Sequence, residues 1–109
     1  MSSAGKAKGA RIEREVVELH MKEGILAKKV PLSGALGGEY YGDVHIFPSK
    51  DIKMTAEVKS RKNGAGFAVI EGWLGDNQLL FLRRNNTEHL VCMPFKVYIE
   101  LMKAYATKL

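Results

Sequence analysis

The hydrophobic positions in the first half of the chain recur at helical spacing and then at strand spacing. Between residues 10 and 23 the apolar positions are separated by charges, and Gly24 stands where such a helix would end; these positions are Ile12, Val16, Val17 and Leu19. Residues 25–30 then predict a short strand that stops at Pro31. Residues 43–47 and 53–60 alternate as two more strands would, with a turn at 48–51. One helix followed by three strands is therefore expected.

The second half of the chain predicts a helix, a hairpin and a final helix. A break at 63–66 precedes residues 67–75, whose apolar side chains fall on one side of a helix: Phe67, Ile70, Trp73 and Leu74. Residues 79–83 and 89–93 predict two strands joined through 85–87. Pro94 suits the first turn of a last helix with the stripe Phe95, Ile99, Met102 and Tyr105. The order α-β-β-β-α-β-β-α predicts an α/β fold in which helices flank a mixed β-sheet.

Length and composition predict one small intracellular domain. A chain of 109 residues fits a single domain over 10–109, preceded by a flexible basic arm at 1–9. No apolar run approaches eighteen residues, the length a membrane span requires, and the N-terminus lacks a secretory signal. Cys92 is the only cysteine, which excludes an intramolecular disulfide. A cytoplasmic location and no membrane partner are expected.

An excess of basic residues points to a polyanionic partner. Seventeen Lys and Arg against twelve Asp and Glu give a net charge of +5 and a pI near 9.4. The first eleven residues contain three basic side chains and no acid, and basic pairs follow at 28–29, 61–62 and 83–84. Nucleic acid is the commonest such partner, although charge alone does not establish it.

Glu57, Val58 and Lys59 form the most informative triplet. In a strand Glu57 and Lys59 point to the same face, because side chains alternate. Asp43 opens the preceding strand, so two carboxylates from neighbouring strands can converge on a divalent cation that prefers oxygen ligands. Lys59 would then lie beside the scissile phosphate, where it stabilises developing negative charge.

A third acid would enrich this site, and the first helix offers three. Glu13, Glu15 and Glu18 all lie in the predicted helix, and the hydrophobic pattern does not choose among them. The segment 31–42 carries four glycines and predicts a loop without regular structure.

Three ordered blocks of the chain resemble the archaeal-type Holliday junction resolvases of the PD-(D/E)xK nuclease superfamily. Residues 8–15, KGARIERE, resemble the family's opening KGxxxERE, whose first glutamate is catalytic. Residues 30–34, VPLSG, resemble the loop that carries the catalytic serine of one branch. Asp43 together with Glu57-Val58-Lys59 resembles the D…ExK core. Residues 63–109 match only in architecture.

The resemblance implies a restriction-endonuclease-like fold and a Mg²⁺-dependent endonuclease that resolves four-way DNA junctions as a homodimer. It implies five catalytic residues: Glu13, Ser33, Asp43, Glu57 and Lys59. A pair of Mg²⁺ ions, with Mn²⁺ as a substitute, would be held by Glu13, Asp43, Glu57 and the carbonyl of Val58. DNA contacts are expected from Lys8, Arg11, Arg14, Lys29, Arg61 and Lys62.

Alternatives remain open at this point. The same catalytic residues fit another PD-(D/E)xK endonuclease acting on flaps, mismatches or duplexes, and basic patches alone fit a non-catalytic DNA-binding protein. Gly42 stands where the superfamily has proline. Ser33 also suits a simple turn, Tyr40 and Tyr41 could contact unpaired bases, and Trp73 suits packing better than base stacking. Compact resolvases also occur in phages, so the sequence leaves a host or viral origin open.

Overall fold

The computed structural model describes residues 3–31, 42–62 and 66–108. These residues form helices and strands in the order α-β-β-β-α-β-β-α, which confirms an α/β protein. The elements are α1 (Ser3–Met21), β1 (Leu26–Lys29), β2 (Val44–Ser49), β3 (Ile52–Ala56), α2 (Phe67–Leu74), β4 (Leu80–Leu82), β5 (Leu90–Cys92) and α3 (Phe95–Thr107). No helix in these ranges is long and apolar enough to cross a membrane.

The strands form two antiparallel sheets, of order β1-β2-β3 and β4-β5. The predicted mixed pairing is therefore not found within either sheet. The short turns between β2 and β3 and between β4 and β5 explain this, because tight connections join antiparallel neighbours whereas a parallel pair needs a crossover. The two sheets also belong to different compact units of the chain. One compact unit comprises residues 1–60 and 102–109, here the sheet unit, and the other comprises 61–101, here the hairpin unit.

Helix α1 begins at Ser3 rather than at Ala10, so it covers most of the predicted arm. It ends as expected before Gly24, whose φ of 82° is the left-handed conformation that glycine adopts easily. The Ile25 amide then donates to the His20 carbonyl at 3.0 Å. Glu13 and His20 lie seven positions apart on one face and are the buried residues of the described helix. His20 is a core histidine, with Nδ1 2.7 Å from the Val16 carbonyl oxygen.

The three-stranded sheet forms the core of the sheet unit. Its buried hydrophobic side chains are Ile25, Ala27, Val30, Val44, Ile46 and Met102. Pro48 lies within β2 and not in the predicted turn, next to a register shift between Ile46 and Ser49. Such a bulge accommodates proline, which cannot donate to a strand ladder. The turn itself shortens to residues 50 and 51.

The hairpin unit contains the predicted hairpin, with Leu80 paired to Cys92 and Leu82 to Leu90. The turn between the strands includes Asn86 at φ 61°, a left-handed conformation that asparagine tolerates. Helix α2 agrees with its prediction within one residue. Pro94 precedes α3, and its carbonyl accepts hydrogen bonds from the amides of residues 97 and 98 at 3.1 and 3.2 Å. The prediction of a single domain stays a prediction.

Candidate functional site

The candidate site lies where the β2–β3 ladder ends. Val44 and Ala56 are the last paired residues of the ladder, and Asp43 and Glu57 are the residues directly beyond them. The Asp43 amide donates to the Ala56 carbonyl at 2.8 Å, and the Asp43 carbonyl accepts from the Val30 amide at 2.9 Å. The backbone of Asp43 is thus fixed between both neighbouring strands, and only 7% of the residue is exposed.

The side chain of Asp43 binds the segment that follows β3. Its Oδ2 accepts a hydrogen bond from the Val58 amide at 2.8 Å. This bond explains why β3 ends at Ala56 and not at Ser60, because the Val58 amide pairs with a side chain instead of a strand. Exposed and half-buried residues nevertheless alternate without interruption from Asp51 to Ser60. Glu57 and Lys59 are both exposed residues of this segment, and their predicted common face stays a prediction.

The Glu57 and Asp43 carboxyl groups interact directly. A side-chain hydrogen bond with Asp43 makes the largest contribution to raising the pKa of Glu57, followed by charge repulsion from Asp43 and partial desolvation. The charge of Glu13 also raises this pKa, whereas Lys59 lowers it. Glu57 is on the exposed side of the segment. Three predicted site residues from three chain segments, Glu13, Asp43 and Lys59, therefore act on the carboxyl group of Glu57.

Glu13 reaches this group of charges from α1 and is held by a lysine of β1. Its Oε1 lies 3.8 Å from Nζ of Lys29, and its side chain is 11% exposed against 40% for Lys29. Glu15 and Glu18, which the hydrophobic pattern did not separate from Glu13, are exposed. Lys29 was predicted as a DNA contact, and its pairing with Glu13 was missed. Sixteen positions separate Glu13 from Lys29, and the two residues lie on different elements, so no sequence periodicity predicts that they pair.

Gly42 positions the start of β2 through a conformation that proline cannot adopt. Its φ is 86°, whereas the proline ring fixes φ near about −65°. A Cβ built at this position would lie 3.1 Å from the Ala56 carbonyl oxygen. The departure from the superfamily's proline therefore has a local structural reason.

The other predicted site residues are exposed or lie outside the described residues. Arg11 and Arg14 are exposed on α1, and Arg61 and Lys62 are exposed at the start of the hairpin unit. Lys8 lies within α1, but its side chain is outside the described part of the chain. Ser33, Tyr40 and Tyr41 also fall outside the described residues. His45 is half-buried in β2, with its ring edge-on to Phe47 at 6.4 Å between centroids.

The donor set at the ladder end suits a hard divalent cation. Asp43 and Glu57 bring two carboxyl groups within hydrogen-bonding reach, and their mutual repulsion is what a bound cation would relieve. Within residues 3–31, 42–62 and 66–108, no three His, Cys, Asp or Glu side chains are grouped closely enough to hold a metal ion. Glu13 is instead paired with Lys29. The residues that fit a cation are therefore Asp43 and Glu57, with Glu13 as an outer charge.

No known protein family, curated protein or solved structure matches this chain. Its function must therefore be inferred from the chemistry of its own residues.

Proposed function

We propose that the chain is a Mg²⁺-dependent endonuclease of the PD-(D/E)xK type that cuts four-way DNA junctions. The observation that carries the proposal is the convergence of Glu13, Asp43 and Lys59 on Glu57, seen in their effects on the Glu57 pKa. The KGxxxERE resemblance selects Glu13, and the D…ExK resemblance selects Asp43, Glu57 and Lys59. The order of helices and strands is compatible with a restriction-endonuclease-like fold, which would join the strands in one mixed sheet.

Asp43 and Glu57 would hold the cation in this proposal, with the Val58 carbonyl as a further ligand. When bound, Mg²⁺ supplies Lewis acidity that lowers the pKa of water and neutralises charge on the phosphate. The Val58 amide fixes one oxygen of Asp43, so this carboxylate has one defined orientation. Glu57 would bind the cation as the ionised carboxylate, which is the better ligand, so its raised pKa opposes binding at low pH.

Lys59 would act on the phosphodiester rather than on the protein. It lies two residues beyond Glu57, is exposed, and lowers the Glu57 pKa through its positive charge, so its ammonium group lies near the carboxyl pair. A positive charge there stabilises the negative charge that develops on the phosphate during hydrolysis. Glu13 adds negative charge near the Asp43 and Glu57 carboxyl groups. It could bind the second cation only after it separates from Lys29.

The hairpin unit supports the proposal of a homodimer. Among the described residues, eight of the eleven exposed large hydrophobic side chains lie in this unit. Phe81 and Val91 are paired across β4 and β5, share one face, and are 65% and 49% exposed. A second copy covering this face would remove apolar surface from water. Two active sites related by a two-fold axis would then cut opposed strands of one junction.

Cleavage of matched substrates tests this proposal. The protein, with Mg²⁺ and then with excess chelator, is given a four-way junction, a Y-shaped DNA, a flap and a linear duplex built from the same sequences. Metal-dependent cleavage that favours the junction is expected, and added salt should weaken it. Equal cleavage of all four substrates would leave a nuclease without junction preference. No cleavage of any substrate would contradict the proposed function.

Sedimentation of the protein over a range of concentrations tests the dimer. A dimer that becomes a monomer on the change Phe81→Ser is expected, because the polar side chain removes apolar area from the proposed interface. Lys108→Ser, an exposed position at the end of the described chain, is the control. A monomer at every concentration would contradict the homodimer.

A further inference from the structure

The hairpin unit contains a cavity of about 550 Å³ that the proposed chemistry does not use. Its walls combine an aromatic ring, two leucines, two guanidinium groups and a carboxylate: Trp73, Leu82, Arg83, Arg84, Thr87, Glu88 and Leu90. This volume lies within the range typical of small-ligand pockets. A lining that combines an aromatic ring, leucines and two guanidinium groups suits a planar ligand that carries negative charge nearby.

Hydrogen bonds fix the turn that carries the arginines. The Thr87 hydroxyl donates to the Arg84 carbonyl at 2.7 Å, and the Thr87 amide donates to the same oxygen at 3.1 Å. Nε of Arg83 donates to the Thr87 carbonyl at 3.2 Å. This bond orients the Arg83 guanidinium through one of its five N–H donors. Neither arginine forms an ion pair with a described carboxylate, so both charges are available to a ligand.

Trp73 supplies a flat surface in the same cavity. It lies on α2, is 61% exposed, and belongs to a helix without buried residues. An indole ring held in this way is available for stacking on a nucleobase, which every base permits because each has a π-face. Glu88 offers an acceptor to the exocyclic amino groups of cytosine, adenine or guanine. The arginines can bind the phosphates on either side of the base.

The pairing of the hairpin separates this cavity from the proposed dimer surface. Leu82 and Leu90 form a directly paired couple and line the cavity. Phe81 and Val91 are the adjacent couple, and they point to the opposite face because side chains alternate along a strand. A two-fold contact through the cavity would also bring the arginines of both copies toward one another, which like charges oppose.

We infer that this cavity binds an unpaired nucleobase of a DNA strand, stacked on Trp73, with the neighbouring phosphates held by Arg83 and Arg84. A base inside a duplex has both faces covered by its neighbours, so the ligand is a base at a strand opening, a junction centre or a single strand. The inference rests on the proposed action on DNA, but it does not depend on cleavage.

Trp73 is the only tryptophan of the chain, so its fluorescence reports this cavity alone. The intact protein is titrated with a short single-stranded oligodeoxycytidine in excess chelator, which prevents cleavage. Quenching that saturates is expected, and a blunt duplex of equal length should quench less. Fluorescence that the single strand leaves unchanged would overturn the inference.

Variants on the two faces of the hairpin give the matched control. Binding of end-labelled oligodeoxycytidine should weaken about tenfold or more in Trp73→Ala, the loss expected when one base–aromatic stack is removed. Arg84→Gln should weaken it and reduce its salt dependence. Phe81→Ser, on the opposite face, should bind as the unmodified protein does. Equal affinity in Trp73→Ala and the unmodified protein would contradict the inference.

Three further outcomes separate the inference from the proposed function and from self-association. Junction cleavage by a protein whose Trp73 does not respond to the single strand would leave the nuclease and remove the base site. A responding Trp73 in a protein that cuts no DNA would leave the base site and remove the nuclease. Trp73→Ala that dissociates a dimer while binding the single strand normally would make the cavity an interface between copies, and the inference would be wrong.

Discussion

The sheet unit and the hairpin unit differ in where they place their hydrophobic side chains. Six hydrophobic side chains are buried among the described residues of the sheet unit, including Val44, which is fully buried. Among the described residues of the hairpin unit only Ile99 is buried, while Phe81 and Leu90 are 65% and 66% exposed. A buried core holds neighbouring groups in fixed positions. The sheet unit is thus suited to hold charged groups at defined distances, and the hairpin unit to contact other molecules.

The charged residues follow the same division. Glu13, Asp43 and Glu57 gather at the end of the sheet, where Asp43 is buried and hydrogen-bonded to the Val58 amide. The arginines of the hairpin turn lie beside exposed aromatic and leucine side chains. The first arrangement fits chemistry at one point, and the second fits contact over a surface. The proposed cleavage therefore belongs to the sheet unit, and the proposed base binding belongs to the hairpin unit.

Truncation of one hydrophobic side chain in each unit gives the largest expected contrast. Ile46→Ala should lower the free energy of unfolding by about 2–5 kcal/mol, because it removes buried methyl groups and leaves a cavity. Phe81→Ala should change it by no more than about 0.5 kcal/mol in dilute monomer, because the ring is already in water. Urea denaturation at low protein concentration measures both. Equal losses would show that Phe81 is packed within the chain.

Glycine substitutions in the two units should have opposite signs. Gly42→Ala should cost about 1–3 kcal/mol, because alanine at φ 86° is strained and its Cβ meets the Ala56 carbonyl oxygen at 3.1 Å. Gly72→Ala in α2 should stabilise the protein by about 0.5–1 kcal/mol, because nothing lies within 4 Å of the added Cβ and alanine favours a helix. The same denaturation experiment applies. A neutral Gly42→Ala would contradict the left-handed turn that precedes Asp43.

The smallest expected effect is a change in the titration of Glu57. Asp43→Asn should lower the Glu57 pKa toward its ordinary value, because the carboxyl–carboxyl hydrogen bond and the charge repulsion are both lost. In the unmodified protein without metal, the raised pKa stabilises the fold fully below the ordinary glutamate pKa. This stabilisation is lost as the pH rises through the raised value. NMR titration of the Glu57 carboxyl carbon measures the shift. Asp51→Asn, in the turn between β2 and β3, is the control. An unchanged Glu57 titration in Asp43→Asn would break the proposed coupling.

Mg²⁺ affinity should also depend on the ionisation of Glu57, but in the opposite direction to the stability of the fold: it should be higher at high pH. Because a cation binds the ionised carboxylate, affinity is expected to fall as the pH drops through the raised Glu57 pKa. Calorimetric titration with Mg²⁺ at several pH values measures this dependence. A constant affinity across this range would exclude Glu57 as a ligand.

Local patterns predicted the existence of the helices and strands, but several of their limits depend on distant residues. Hydrophobic spacing gave α2, α3 and the β4–β5 hairpin nearly as they occur. The end of β3 could not be predicted, because it depends on a hydrogen bond from Val58 to Asp43, fifteen positions away. The position of Pro48 inside β2 depends on a bulge in the pairing with β3. The division into two sheets likewise depends on tertiary contacts that no local period encodes.

The candidate site shows the same limit. The sequence predicted that Glu57 and Lys59 share a side and that Asp43 and Glu57 lie on adjacent antiparallel strands. In the structure Glu57 and Lys59 are both exposed, and Asp43 and Glu57 directly flank the paired residues Val44 and Ala56. The hydrophobic pattern could not choose Glu13 over Glu15, because both fit the helix, and the structure buries only Glu13. The partner of Glu13, Lys29, is separated from it by a helix end, a turn and most of a strand. Only the folded chain brings those charges together.

Cleavage by Asp43→Asn tests the central claim most directly. The unmodified protein, Asp43→Asn and the control Asp51→Asn are compared on a four-way junction with Mg²⁺, and junction binding is measured without metal. Asp43→Asn should lose at least about 100-fold in cleavage rate, more than the removal of a residue that merely orients a ligand, and should still bind the junction. Asp51→Asn should cut normally. Cleavage by Asp43→Asn at the rate of the unmodified protein would contradict the assignment of Asp43, Glu57 and Lys59 as the active site.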